Sequence, residues 1–256
     1  MDFGLRGRTA VVCASTSGLG EATARALAAE GAHLVVCGRR GDRAAAIAAE
    51  LPSAVGVGID LTASGGPEQL LEAARVFGPV DILVLNGPGP SPGTAADLDL
   101  VGVSASISAL VRPHVELTSL VLGGMRSRGW GRILAIGSIS VATPLPGLVQ
   151  SNLGRAALAA YLKTLATEVA ADGVTVNMML PGWIRTARTA ALDAEVAKQS
   201  GRSAQEIERE SRASIPAGRY GDPAEFGAAA AFLCSAQAAY VTGTTLRCDG
   251  GLVPSL

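Results

Sequence analysis

The sequence is poor in lysine and has almost no net charge. Lys163 and Lys198 are its only lysines, and the formal net charge at pH 7 is −1. A chain without surplus positive charge does not attract a nucleic-acid backbone or an anionic membrane surface. We therefore expect neither as a partner, and we expect a small-molecule substrate.

Metal-ligand patterns and long apolar runs are also absent. Cys13, Cys37, Cys234 and Cys248 form no CxxC pair, and the chain has only two histidines, so we expect no metal site. Each cysteine lies in an apolar run, which is typical of reduced thiols in a cytoplasmic protein. No signal-peptide pattern opens the sequence, and the stretch 226–241 is too polar for a membrane span.

What the sequence does contain is a repeated alternation of apolar runs and Ala-rich segments. The chain has 256 residues, of which 48% are hydrophobic, enough for one large core. Strands are predicted near 9–14, 33–38, 54–60, 81–86, 131–137, 174–180 and 245–249, and helices near 20–30, 41–51, 67–77, 115–128, 151–171 and 223–235. The strands lack in/out alternation, which indicates a sheet buried on both faces. The pattern predicts a single α/β domain over 1–256, with a doubly wound parallel sheet of about seven strands flanked by helices.

One long polar segment, 183–222, interrupts the alternation. It has helical signal near 190–199 and 203–211. It follows the carboxyl end of a predicted strand, where open α/β sheets bind ligands. We interpret it as a substrate loop or lid; the alternative is a surface excursion with no role in binding.

A glycine-rich turn follows the first predicted strand and precedes a helix, over the residues 13–20. Glycines let a backbone approach a pyrophosphate, whose charge is favoured at a helix N-terminus. The turn therefore predicts dinucleotide binding, with a tight turn that binds nothing as the alternative.

This turn resembles the TGxxxGxG motif of the short-chain dehydrogenase/reductase family, whose Rossmann-type fold is the one predicted above. Gly18 and Gly20 match, whereas Cys13 and Ala14 replace the opening Thr-Gly; a positive φ at Ala14 would be costly. Further matches follow in the family's order, at Asp60-Leu61, at Asn86, at Asn177 with Pro181-Gly182 and Thr186, at 240–243 and at 249–251. The resemblance implies cofactor contacts from Ser15, Thr16, Ser17, Gly18, Leu19, Gly20, Asp60, Leu61, Asn86, Pro181, Gly182, Ile184 and Thr186.

The end of the second strand indicates which dinucleotide binds. NAD-type sites place an acidic residue there, and NADP-type sites place an arginine for the 2′-phosphate. Here the strand ends in Arg39 and Arg40, with no Asp or Glu. We expect NADP(H) in preference to NAD(H), with Arg39 as the main contact and Arg40 or Arg43 assisting. The alternative is a pair of solvated arginines at a helix start.

The family's reductases act through a Tyr-x-x-x-Lys pair on a helix, together with a serine at the end of the preceding strand. Ser138 matches that serine. The helical register places Ser151 at the tyrosine position and Arg155 at the lysine position, where the resemblance also implies a ribose contact. The family's asparagine falls near Leu110 and is also replaced. The sequence is thus similar to the 3-oxoacyl-reductase branch, in a subgroup that lacks the usual pair.

The chemistry of the replacements suggests a weakened site. A phenol is a far better acid than a serine hydroxyl, and arginine does not relay a proton as lysine does. Ser151 and Arg155 lie at i and i+4 and share one helix face, so that Ser138, Ser151 and Arg155 can act together on a substrate oxygen. The alternative is that Ser151 only caps its helix. We expect His114 to be a packed or surface histidine.

Three functions stay open at this point. The favoured one is an NADP(H)-dependent oxidoreductase acting on a carbonyl or alcohol. The others are a non-redox enzyme on the same fold (a cyclase, isomerase or dehydratase) and a catalytically inactive dinucleotide-binding or regulatory protein. Trp183, Arg185 and Arg188 open the long segment and can face substrate, which allows an anionic or acyl-carrier substrate. The resemblance also implies a homo-oligomer, a tetramer or dimer, formed through the helix at Ser151 and the C-terminal strand.

Overall fold

The structure, a computed structural model, describes residues 2–255, in which it has seven strands and nine α-helices. The strands are β1 (Thr9–Val12), β2 (His33–Gly38), β3 (Ala54–Gly58), β4 (Ile82–Leu85), β5 (Gly131–Ile136), β6 (Val174–Pro181) and β7 (Thr245–Cys248). The helices are α1 (Gly18–Ala29), α2 (Gly41–Ala49), α3 (Gly66–Ala74), α4 (Leu100–Leu110), α5 (Arg112–Ser127), α6 (Val149–Val169), α7 (Ala187–Ser200), α8 (Ala204–Ala213) and α9 (Pro223–Leu233).

The strands form one sheet in the order β3-β2-β1-β4-β5-β6-β7, and every neighbouring pair is parallel. The prediction of a doubly wound parallel sheet is confirmed. The order reverses between β1 and β4, so successive connections leave β1 and β4 in opposite directions. Such a switch point opens a crevice at the carboxyl ends of the strands.

Apolar side chains cover both faces of the sheet, because successive strand residues point to opposite sides. Val11 packs with Leu117 in a cluster on one face. Its neighbour Val12 packs with Leu27 and Phe226 in a second cluster on the other face. All residues of β1, β4 and β5 are buried, which explains why these strands read as continuous apolar runs.

Helix α4 was not expected from the sequence. Its residues include two valines, three serines and one isoleucine, which are only moderate helix formers. The helix packs against α6, and Asp99 caps its N-terminus by accepting a hydrogen bond from Gly102 N at 2.8 Å. The Asp99 cap is a local signal that predicts a helix start; the packing partner is not visible in the sequence.

Two features are absent from residues 2–255. In that range no helix is both long enough and apolar enough to cross a membrane. Nor does the described part of the chain bring together three or more His, Cys, Asp or Glu side chains in a way that could hold a metal ion.

Candidate functional site

A cleft of about 610 Å³ lies at the carboxyl ends of the strands on both sides of the switch point. Its volume is typical of small-molecule sites. Most of the residues that the sequence singled out line it. They are Thr16, Ser17, Gly18, Leu19, Arg39, Arg40, Asp60, Leu61, Asn86, Ser138, Ser151, Arg155, Pro181, Gly182, Ile184 and Thr186.

Ser15 and Gly20, expected as cofactor contacts, lie beneath the cleft and do not line it. The Ser15 hydroxyl donates to Val12 O at 2.6 Å and accepts from Cys37 N at 3.0 Å, so it joins β1 to β2. A Cβ at Gly20 would lie 2.5 Å from Ala14 O and 2.9 Å from Asn86 Nδ2. Both residues therefore help to build the turn, and their direct contact with a cofactor stays a prediction.

Ala14 is the one non-glycine residue with positive φ in the part of the chain that the structure describes, at +46°. This conformation costs an L-residue about 1–2 kcal/mol. The Asn86 side chain supports it by donating from Nδ2 to Ala14 O at 3.2 Å. The strain expected where Ala14 replaces the family's glycine is present, and Asn86 helps to hold the turn in shape.

The turn presents the N-terminus of α1 to the cleft. Ser17 is the N-cap residue, yet its side chain makes no capping hydrogen bond, so the N–H groups of the first turn have no side-chain acceptor. Gly18 has a φ of +59°, and a Cβ built on it would meet its nearest neighbour, Thr186 Cγ2, at 3.7 Å. The space beside Gly18 can therefore take a group of that size. An uncapped helix N-terminus beside small residues suits a pyrophosphate. The residues present therefore fit a dinucleotide.

The three arginines at the end of β2 differ in their partners. The Arg40 guanidinium donates to Thr16 O and Thr16 Oγ1, at 3.1 and 3.2 Å, and covers the turn. Arg43 lies 3.5 Å from a Glu21 carboxylate oxygen and does not line the cleft. Arg39 lines the cleft and, among residues 2–255, has no ion pair or side-chain hydrogen bond. Arg39 and Arg40 are thus placed for a ligand, whereas Arg43 is not.

Asp60 lines the same end of the cleft. Its carboxylate accepts hydrogen bonds from the Thr62 hydroxyl and the Thr62 N–H, at 2.7 and 2.9 Å. These bonds hold the pKa of Asp60 below its usual value, with a smaller contribution from the charge of Arg39.

Arg155 joins the helix α6 to the end of β5. Its Nη1 donates to the carbonyls of Ile136 and Gly137, at 2.9 and 3.0 Å, and its Nε donates to Ser151 Oγ at 3.1 Å. Burial lowers the pKa of Arg155 to about 10, with a further lowering from the charge of Arg188. Arg155 stays a cation at neutral pH, in a place where no carboxylate of the described residues pairs with it.

The two serines beside Arg155 each have a hydroxyl hydrogen free. Ser151 Oγ accepts from Arg155 Nε, and Ser138 Oγ accepts from Ser140 N at 3.1 Å. In residues 2–255 neither hydroxyl donates to a protein acceptor. Since α6 begins at Val149 with Leu148 as its N-cap residue, Ser151 lies inside the helix. The alternative that Ser151 caps the helix is wrong, because its side chain contacts Arg155 instead.

His114 lies buried beneath the same end of the cleft, 2% exposed. Its Nδ1 is 2.7 Å from Leu110 O, and because a carbonyl only accepts, Nδ1 carries the hydrogen. Its Nε2 has no partner among the described residues. Burial lowers the pKa of His114, so the ring is neutral at pH 7. The expectation of a packed histidine agrees with this placement.

The long segment after β6 covers one side of the cleft with Trp183, Ile184, Thr186, Ala187, Arg188, Thr189 and Leu192. It is anchored at its far end by Tyr220, whose hydroxyl donates to Asp193 at 2.8 Å and whose ring stacks on Trp183 with centroids 6.3 Å apart. Burial raises the pKa of Tyr220 to about 12. This anchoring fixes α7 against the cleft. Arg185, which the sequence allowed to face substrate, does not line the cleft but lines a neighbouring cavity between α1 and α9, which shares Gly18, Thr186 and Ala187 with it.

Comparison with known proteins decides the family. Residues 13–253 match a family model described as "Enoyl-(Acyl carrier protein) reductase". The 3-oxoacyl-[acyl-carrier-protein] reductase FabG of Aquifex aeolicus is 31% identical over 98% of this chain and its own whole length. Dehydrogenase/reductase SDR family member 4 of Bos taurus is 34% identical over 98% of this chain and 89% of its own length. The chain belongs to the short-chain dehydrogenase/reductase family.

Solved structures agree with the assignment. L-sorbose reductase from Gluconobacter frateurii, solved in complex with NADPH and L-sorbose, has a TM-score of 0.94 at 33% identity, with both chains covered completely. YwfH, an NADPH-dependent reductase involved in bacilysin biosynthesis, has a TM-score of 0.92 at 26% identity, covering 97% of this chain and 99% of its own. The chain is thus an oxidoreductase of the short-chain dehydrogenase/reductase type.

The apolar part of the cleft was missed in the sequence of this short-chain dehydrogenase/reductase. Leu145, Leu148 and Leu192 line the cleft near the serines, together with Pro88 and Gly89 after β4. Their positions depend on how three loops meet in space. The only local signal is that they follow strand ends, which is a property shared with many residues that do not line the cleft.

Proposed function

We propose that the protein is an NADP(H)-dependent oxidoreductase that reduces a carbonyl group, or oxidises the corresponding alcohol, at Ser138, Ser151 and Arg155. The observation that carries the proposal is the bond network in which Arg155 holds Ser151 beside the end of β5. This network lies in the same cleft as the uncapped N-terminus of α1. A single ligand in this cleft can therefore contact both the Arg155 network and the N-terminus of α1.

The preference for NADP(H) is supported by charge at the end of β2. Arg39 and Arg40 both line the cleft, and Asp60, at the end of β3, is its one acidic lining residue. A guanidinium offers two parallel donors to a phosphate. NADPH is present in the solved L-sorbose reductase complex, and NADP is bound in a 3-oxoacyl reductase of Agrobacterium tumefaciens with 31% identity and a TM-score of 0.87.

The side chains of the site stabilise the substrate oxygen rather than supply its proton. A bound nicotinamide supplies a hydride to the carbonyl carbon in reduction, or accepts one in oxidation. Ser138 and Ser151 donate their free O–H groups to the substrate oxygen, and the Arg155 cation stabilises its developing negative charge. In reduction the oxygen then takes a proton from water, since neither serine nor arginine gives one up readily.

This arrangement predicts a slow ketone reductase. General acid catalysis contributes about 10²–10⁴ in rate, and a site without a phenol loses most of it. A Ser151→Tyr/Arg155→Lys double variant restores the pair that the family resemblance associates with these positions. We expect it to reduce simple ketones faster than the wild type.

The test combines an NADPH titration by calorimetry with NADPH-oxidation assays on a panel of ketones. Binding followed by turnover, with loss of turnover in Ser138→Ala, supports the proposal. Product formed without cofactor, and unchanged in Arg39→Ala, would favour a cyclase, isomerase or dehydratase. Tight NADPH binding without turnover of any ketone or alcohol would favour a regulatory protein.

Two further features belong to this proposal. The segment 183–222 acts as a lid on substrate, since residues of α7 line the cleft. The protein forms a homo-oligomer, which is consistent with exposed apolar side chains on α4, where Leu100 and Val101 are 82% and 75% exposed. Light scattering measures the oligomeric state directly.

A further inference from the structure

The end of the cleft that holds the serines contains two arginines and no acid. Arg155 forms its floor and Arg188, in the first turn of α7, stands at its rim. Asp60 is the one acidic residue among the described lining residues, and it lies after β3 at the opposite end. No carboxylate in residues 2–255 comes within ion-pair distance of either guanidinium. The positive charge at this end is therefore uncompensated.

Each of these guanidinium groups has donors to spare. Arg155 uses Nε and Nη1 on the protein, and its Nη2 has no partner among the described residues. Arg188 donates from Nη2 to Pro90 O at 3.3 Å, and its Nε and Nη1 have no acceptor in that part of the chain. A buried charge without a partner, such as that of Arg155, costs free energy, whereas Arg188 is exposed. The charge of Arg188 also repels that of Arg155. A bound anion would relieve both effects.

Gly89 makes the position of Arg188 possible. A Cβ on Gly89 would lie 2.9 Å from both Cζ and Nη2 of Arg188, so the guanidinium rests against bare backbone. The contact joins the loop after β4 to α7 across the mouth of the cleft. Arg188 lies in the first turn of α7, where a cation is mildly unfavourable.

We propose that the substrate is an oxo acid or hydroxy acid, whose carboxylate binds Arg188 while its reacting oxygen lies against Ser138 and Ser151. The inference rests on the proposed redox function and adds the substrate's class. A planar guanidinium matches a carboxylate with two parallel hydrogen bonds. The wall of Leu145, Leu148 and Leu192 suits the carbon chain between the two groups.

The experiment uses the full-length protein with NADPH and pairs of ketones that differ only in charge. Pyruvate, acetoacetate and levulinate place the carbonyl at increasing distances from the carboxylate, and each is compared with its methyl ester. We expect kcat/KM for at least one acid to exceed that for its ester by about tenfold or more, as charged hydrogen bonds allow. Equal rates for every acid and ester, or faster turnover of a neutral acetoacetyl thioester, would overturn the inference.

Variants assign the effect to Arg188. In Arg188→Gln the preference for the acid should fall to near one, mainly through a higher KM, while NADPH affinity is kept. Gly89→Ala, which displaces the guanidinium, should lower the preference partly. Arg185→Gln is the matched control, because Arg185 lies nearby but lines the other cavity. An unchanged preference in Arg188→Gln would contradict the proposed contact.

A binding measurement separates failure of this inference from failure of the proposed function. Calorimetry with acetate in the presence of NADP⁺ measures binding alone, because acetate has no hydroxyl or ketone group that could react. Carboxylate binding that is lost in Arg188→Gln, without any redox activity, would support the anion site and reject the oxidoreductase. Ketone reduction without carboxylate binding or acid preference would support the proposed redox function and reject the anion site. The absence of ketone reduction and of carboxylate binding would reject both proposals.

Discussion

The two ends of the cleft are built in different ways. The turn end consists of the residues 14–20 with Arg39 and Arg40, and its shape comes from backbone and glycine. The serine end consists of Ser138, Ser151 and Arg155, and its shape comes from side chains that two elements, the end of β5 and the helix α6, bring together. A change at the turn end therefore disturbs the scaffold, whereas a change at the serine end can alter chemistry and leave the fold intact.

The sharpest test of the turn end is Gly20→Val. A Cβ at this position would approach Ala14 O to 2.5 Å, and backbone on both sides has nowhere to move. We expect NADPH binding to be lost, a fall of about a hundredfold or more in affinity, with a lower melting temperature. Calorimetry and thermal unfolding measure the two effects.

Gly123→Ala is the matched control for that variant. Gly123 lies in α5, and a Cβ there meets nothing within 4 Å. Alanine replaces glycine in a helix interior, which stabilises by about 0.5–1 kcal/mol. If Gly20→Val bound NADPH as the wild type does, the view that the turn end is fixed by its backbone would be wrong.

The serine end is tested by Ser138→Ala. The change removes one of two hydroxyl donors to the substrate oxygen, and the loss of such a donor costs about 10²–10³ in kcat. NADPH affinity and the melting temperature should stay close to those of the wild type, because Ser138 supports only the amide of Ser140. Steady-state kinetics with NADPH titration checks both parts.

Cysteine at the same position is the control for size, since Ser138→Cys keeps a small side chain with a weak donor. The Ser138→Cys protein should retain more activity than the Ser138→Ala protein. A Ser138→Ala protein with wild-type kcat would show that the substrate oxygen lies elsewhere, and the comparison between the two ends would lose its functional meaning.

Cofactor choice links the two ends, and Arg39→Ala tests it. Removal of a charged hydrogen-bond donor costs about 1.5–3 kcal/mol, which corresponds to roughly tenfold to a hundredfold in NADPH affinity. NADH affinity should change little, because that cofactor has no 2′-phosphate. Arg43→Ala is the matched control, since Arg43 pairs with Glu21 outside the cleft. An equal loss for both cofactors would contradict the role of Arg39.

Sequence reasoning succeeded where structure is local. The strands and the turn follow from apolar runs and from glycine positions next to them, whereas the choice of cleft residues came from the family resemblance. Arg155 on the same helix face as Ser151 also follows from their spacing. Their link to the carbonyls of Ile136 and Gly137 does not, because it joins residues 18 or 19 positions apart across two elements. The bond between the Ser15 hydroxyl and Cys37 N was not predicted for the same reason, since the two residues lie 22 positions apart.

The pH dependence of stability provides a test of the buried ring beneath the serine end. Burial lowers the pKa of His114 from 6.5, so below pH 6.5 the unfolded chain binds a proton that the folded protein refuses. Folding stability is unaffected above that pH and falls as the pH drops below it, by up to about 1.4 kcal/mol per pH unit until the folded pKa is reached.

In a His114→Asn variant the free energy of unfolding should fall less between about pH 7.5 and about pH 5.5 than in the wild type, because the contribution of His114 is gone. Urea unfolding at the two pH values measures this. His33→Asn is the control for removal of a histidine, because it leaves the buried ring in place. An equal slope in wild type and His114→Asn would mean that the ring is protonated in the folded protein, and that the positive charge at the serine end is larger than inferred.

The smallest expected effect is at Ala14. It measures how much stability the turn end loses because an alanine, and not a glycine, adopts a positive φ there. Its φ of +46° costs about 1–2 kcal/mol for alanine and nothing for glycine. Glycine in turn makes the unfolded chain more flexible, which costs about 0.4–1 kcal/mol. The difference predicts that Ala14→Gly stabilises the protein by up to about 1.6 kcal/mol, visible as a higher urea midpoint. Asn86→Ala, which removes the donor to the Ala14 carbonyl, should destabilise the wild type more than the Ala14→Gly protein. Equal losses in the two backgrounds would show that Asn86 does not support the strained residue.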